Sequence, residues 1–213
     1  MKKVIFSLPL FFLSLGCAVS YNVGVNGYSS SGQSLQIRQE SSIHVVEDSN
    51  APNPLLEKEI GMKIRKLLNK NGYSISTGEA DYYLLFNYGM SSGQTVTDTI
   101  GIYHYGIYND YPFSGMYSHN YPTYIPYTTV VYTQWLVLKL IDGNAYRASS
   151  KAKPLWIGEA VSAGTNSDLR ERINYMLIAA FEHFGQDTGK RVNVPFSEDD
   201  DRIKLLMQPW ENR

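Results

Sequence analysis

The chain has 213 residues, of which 43% are hydrophobic and 18% charged; there are 19 basic against 20 acidic side chains, and 17 tyrosines. That length suits one domain of ordinary size, and that hydrophobic fraction excludes wholesale disorder. A net charge of −1 excludes the basic surface that nucleic acid requires, and a single cysteine excludes an internal disulfide.

Lys2 and Lys3 precede an apolar run from Val4 to Leu15, the plan of a secretory signal. The run is shorter than the roughly 20 residues that span a bilayer, and Pro9 interrupts it. Leu13-Ser14-Leu15-Gly16-Cys17 resembles a bacterial lipobox, in which a small residue precedes a cysteine that takes a diacylglyceryl thioether. Ser14 stands where that motif has a large aliphatic residue, and cleavage after Ala18 to give a soluble periplasmic protein is the alternative. The expectation is a signal peptide over 1–16 and lipid on Cys17. Removing Lys2 and Lys3 leaves 17 basic against 20 acidic residues, a mature net charge of −3. Two or more acyl chains hold a protein stably on a bilayer. By resemblance to lipoprotein sorting in diderm bacteria, Ala18 after the cysteine points to the outer membrane, facing the periplasm.

Residues 17–40 have the glycine and serine content of a lipidated N-terminus and tether, with Val23 and Val25 able to add a short strand. Ser42–Glu47 is the first convincing strand. Asn53-Pro54 opens a helix whose apolar face is Leu56, Ile60, Ile64, Leu67 and Leu68, and Asn71-Gly72 stops it. Its basic residues Lys63, Arg65, Lys66 and Lys70 read as a solvated face. Tyr73–Ser76 is a short strand. Asp81–Tyr88 is apolar on both faces and belongs inside a sheet. Val130–Ile141 is the longest strand, turning at Asp142-Gly143 into an exposed loop over 144–154, with Leu155–Ala160 as the antiparallel return. A second helix, capped by Ser167 or Asn166, carries the stripe Leu169, Ile173, Met176, Leu177, Ala180, Phe181 and Phe184. The last segment, 198–213, is an acidic run leading a short amphipathic helix.

Between Thr99 and Leu138 there is one charged residue, Asp110, and eight tyrosines fall between Tyr103 and Tyr127. Gly101, Gly106, Gly115, Pro112, Pro122 and Pro126 argue against a helix and point to an insertion over about 99–128. Tyrosine joins a flat apolar body to a hydroxyl at low entropic cost, which suits contact with protein or glycan, or with lipid headgroups. Tyr108, Tyr111, Tyr117 and Tyr121, in the middle of the segment, are the expected anchors. His104, His119 and Asp110 lack the close-spaced pair of a metal site.

No GxSxG elbow or HExxH pair occurs, and Cys17 is spent on lipid or lost with the signal, so no cysteine nucleophile is expected. Gly185–Lys190 is one residue short of a phosphate loop. Glu79, Asp81 and Glu159 are carboxylates without a pattern around them. No cofactor and no metal is assigned.

The stretch Ile43–Phe184 resembles a bacterial lipoprotein family, domain of unknown function 4136. The residues that carry the likeness are Asn53-Pro54-Leu55-Leu56, the helix end Asn71-Gly72-Tyr73, and Glu79-Ala80-Asp81-Tyr82 running into Leu84-Leu85-Phe86. With them goes the pair Leu136–Asp142 and Leu155–Ala160, with Trp156-Ile157-Gly158. The resemblance implies an α/β (α+β) domain on a lipid anchor and no established activity. The whole reading is a single domain over 41–197, a mixed and mostly antiparallel sheet with two helices packed on one face. The expected role is a non-enzymatic envelope lipoprotein that binds a partner protein or glycan; the alternative is a hydrolase acting on a cell-envelope polymer.

Overall fold

The computed structural model describes residues 20–107, 118–197 and 199–207. In chain order they form β1 (Ser20–Ser29), β2 (Ser42–Val46), α1 (Pro54–Lys70), β3 (Ser74–Ile75), β4 (Tyr82–Met90), β5 (Gln94–Ile107), β6 (Ser118–Asp142), α2 (Gly143–Ala148), β7 (Trp156–Gly164), α3 (Leu169–Glu182), β8 (Val192–Ser197) and α4 (Asp201–Met207). The strands make one open sheet in the order β3-β2-β4-β6-β7-β1-β8, and β5 pairs with β6 off that path. β2 runs parallel to β3 and β4; the other pairs are antiparallel. The mixed, mostly antiparallel sheet expected from the sequence is what forms.

Period-two alternation turns one face of this sheet inward. Val23, Val25, Ile43, Val45, Leu136, Leu138, Leu140, Trp156 and Ala160 are buried there. α1 covers them with Ile60, Ile64 and Leu68, and α3 with Ile173, Met176, Leu177 and Ala180. α1 begins where the sequence places it: Asn53 Oδ1 accepts from the Leu56 amide at 3.1 Å, and Pro54 follows. It ends at Asn71, with Gly72 at φ +85°.

Five expectations are corrected. Residues 20–29, placed in the tether, are an interior strand between β7 and β8. Its glycines allow close approach: a Cβ on Gly27 would lie 2.2 Å from the Gln186 carbonyl oxygen. The loop expected over 144–154 begins as α2, because Asp142 caps it by accepting from the Ala145 amide. The cap of α3 is Asp168, one residue later than expected, accepting from the Arg170 and Glu171 amides. β8 was not read from the sequence, and it extends the sheet beyond β1. The segment 99–128, expected as an irregular insertion, is continuous strand through residues 107 and from 118 onward. At the C-terminus, α4 buries Ile203 and Leu206, so the acidic segment leads a docked helix.

Candidate functional site: the β5–β6 ribbon

β5 and the first half of β6 form a two-stranded ribbon. Its register runs without a bulge from Gln94↔Val131 to Ile107↔Ser118. Thr95, Val96, Thr97, Thr99, Ile100 and Ile102 supply β5 with β-branched residues, and Thr123, Ile125, Thr128, Thr129 and Val130 do so for β6. The prolines that argue against regular structure fit the strand. Pro122 and Pro126 stand opposite Tyr103 and Thr99, four residues apart. Their imino nitrogens therefore lie on one edge of β6, the outer one, where the ladder needs no donor.

Alternation splits the ribbon into two unlike faces. One carries Val96, Ile100, Ile102, Ile125 and Tyr127, each 41–54% exposed. Asp98 lies among them, close to the root, and its carboxylate accepts from the Tyr127 hydroxyl at 3.5 Å and the Thr99 amide at 2.8 Å. The other face carries Thr95, Thr97, Thr99, Tyr124, Pro126, Thr128 and Val130, with Tyr124 65% exposed. Asp98 is the one charged residue among the described residues of the ribbon.

Of the residues expected as anchors, Tyr108, Tyr111 and Tyr117 lie outside the described residues, as does Cys17. Tyr121 pairs with His104 in the ladder. The sequence reading missed the isoleucine row and the threonine row. The signal was present: T-V-T-D-T-I-G-I alternates from Thr95 to Ile102, with Asp98 the one polar residue on the apolar side.

The ribbon's root and the start of β1 lie at the same end of the sheet. β6 pairs Tyr132 with Gly164 of β7, and β7 pairs Val161 with Gly24 of β1. Carrying these registers on puts Tyr21 level with Gly164 and Tyr132. β1 is two strands from β6, or about 10 Å across the sheet.

An open groove of about 510 Å³ between α1, α3 and α4 is lined by Glu59, Lys63, Asp168, Arg170, Glu171 and Asn174. Its carboxylates already have partners. Glu59 meets Lys63 at 2.7 Å and Arg170 at 2.8 Å. Burial works to raise its pKa, but Lys63 and Arg170 together hold it below the ordinary carboxylate value. Asp168 caps α3, and Glu171 accepts from Asn166 Nδ2 at 2.8 Å. Asp81 is held low by the Ser42 amide and hydroxyl. Among the described residues, no helix is long and apolar enough to cross a membrane, and no cluster of three or more His, Cys, Asp or Glu could hold a metal.

A family model for domain of unknown function (DUF4136) matches residues 21–184, and the chain belongs to that family. No curated protein matches the chain. Two solved structures are similar in part. A PDZ domain protein from Parabacteroides distasonis aligns at TM-score 0.47 and 16% identity, over 84% of this chain and 39% of that one. The chain thus spans well under half the length of that relative. The PelC dodecamer from Paraburkholderia phytofirmans aligns at TM-score 0.41 and 11% identity, over 76% of this chain and 98% of that one.

Proposed function

We propose that this member of the DUF4136 family is a non-enzymatic envelope lipoprotein. Lipid on Cys17 holds it to the outer membrane, facing the periplasm, and the β5–β6 ribbon makes its functional contacts. The observation that carries the reading is the ribbon's threonine–tyrosine face. It is exposed, almost uncharged and built on a paired ladder, and it offers hydroxyls and aromatic surface to a protein or glycan. The signal-like N-terminus and Gly16-Cys17 support the anchor.

Two experiments test this. Cys17→Ser abolishes metabolic lipid labelling and releases the protein from membranes; a cleaved Cys17→Ser protein that stays with membranes contradicts the anchor. Deleting 102–123, with a Gly-Ser bridge from Gly101 to Tyr124, removes partner crosslinks in intact envelopes while the domain stays folded. Unchanged crosslinks in that folded variant contradict the role of the ribbon.

A further inference from the structure

The isoleucine face of the ribbon has no neighbour among the described residues, and its position relative to the chain's N-terminus indicates what covers it. We infer that Ile100, Ile102 and Ile125, beyond Asp98 on this face, rest on the lipid surface of the membrane that holds the protein, with that part of the ribbon lying in the headgroup zone. This rests on the lipid anchor at Cys17 proposed above.

Cys17 is four residues before Tyr21, so the thioether lies within about 14 Å of the sheet end. The ribbon leaves that same end, because β6 runs unbroken from the ribbon into the sheet and its Tyr132 is level with Tyr21. Fourteen paired residues extend about 45 Å. A domain tethered so closely brings a rod about three times longer than its tether to the bilayer.

Residues 99–107 and 118–131 contain no charged side chain, so contact with lipid desolvates no ion there. Asp98 is close to the root and keeps its Tyr127 and Thr99 partners. The aliphatic row suits the acyl boundary and the tyrosines suit the headgroup level.

The backbone decides between lying flat and spanning. Among the described residues both outer edges of the ribbon are unpaired, and the outer edge of β6 carries Pro122 and Pro126. Unpaired N–H and C=O groups are excluded from the hydrocarbon core unless a barrel closes, so one ribbon stays at the interface. An isolated two-stranded ribbon is marginal in water, and a lipid surface supplies the second layer it lacks.

The single native cysteine makes the test clean. Ile100→Cys, Ile125→Cys and, on the opposite face, Thr97→Cys are prepared in the full-length lipidated chain. Each is labelled with an environment-sensitive fluorophore and reconstituted into phosphatidylethanolamine–phosphatidylglycerol vesicles. Positions 100 and 125 are expected to shift to the blue, to be quenched by brominated acyl chains, and to be severalfold less open to iodide than position 97. Equal iodide access at all three positions overturns the inference. So does a disulfide-linked dimer of the unlabelled Ile100→Cys chain together with no acyl-chain quenching of the labelled one, which assigns the face to a second copy. Failure of the anchor reading shows separately: a chain without lipid on Cys17 carries two labels by mass, while quenching still reports whether the ribbon meets lipid.

Discussion

Ile100 on β5 stands directly across the ladder from Ile125 on β6, and the two are 54% and 48% exposed. Directly opposed aliphatic pairs usually hold two strands together under a covering layer. Here nothing among the described residues covers them. The ribbon is therefore an appendage of the sheet and contributes little to the stability of the domain.

This gives the first prediction. Removing 102–123 leaves the pairs of β6 with β4 and β7 intact, since they begin at Gln134 and Tyr132 respectively. The shortened protein should unfold in one cooperative transition at the melting temperature of the full chain. A lower or broadened transition would show that the ribbon supports the sheet.

Phe181 is 7% exposed and stacks on Phe184 with centroids 5.1 Å apart and planes 8° from parallel. Phe181→Ala should destabilise the domain by about 3 kcal/mol or more through lost burial and the cavity left behind. Urea denaturation measures this as a fall in midpoint at unchanged slope.

Gly143 sits where α2 leaves the sheet, and its amide donates to the Asp81 carbonyl at 2.7 Å. A Cβ there would lie 2.1 Å from the Ala80 carbonyl oxygen and 2.8 Å from that of Asp81. Backbone must move, so Gly143→Ala should cost about 1–3 kcal/mol, as overpacking does. Gly78→Ala is the control, because a Cβ there meets nothing within 4 Å. Equal melting temperatures for the two variants would contradict the close approach.

Tyr88 supplies a pH dependence. Burial, and then its hydrogen bond to the Glu57 carboxylate, push its phenol up to about 12 from an ordinary 10.0. A pKa raised by folding means that the neutral form is favoured in the fold. Its contribution is complete below pH 10, where the unfolded phenol is also neutral, and is lost as pH rises toward 12. The stability difference between wild type and Tyr88→Phe should stay constant up to pH 10 and then shift against wild type. A difference that stays constant through pH 12 would show that Tyr88 is not so held.

The helices were legible because their signals are local. Asn53-Pro54 and Asn71-Gly72 bound α1, and the stripe from Leu169 to Phe181 is buried along α3. β1 was obscured because Gly24 and Gly27 read as linker composition, whereas close approach by Gln186 is a tertiary fact. β8 was missed because Val192–Ser197 alternates only briefly and contains Pro195; its pairing with β1 is long-range. In the ribbon, glycine and proline were weighed by density, and their parity was the informative feature. Two prolines four apart mark one strand edge, and the threonines and isoleucines alternate on either side of them. Tyrosine density therefore points to Tyr108, Tyr111, Tyr117 and Tyr121, while the rows that form the described faces run through Ile100, Ile125, Thr97 and Tyr124.

The central claim is that the ribbon is the part of the molecule that makes contacts in the envelope. A photo-crosslinking residue placed at Tyr124, on the threonine–tyrosine face, and in a separate strain at the exposed Lys151, tests it in intact cells. A discrete adduct is expected from position 124 and none from position 151. Absence of an adduct at 124, or the same adducts from both positions, would contradict it.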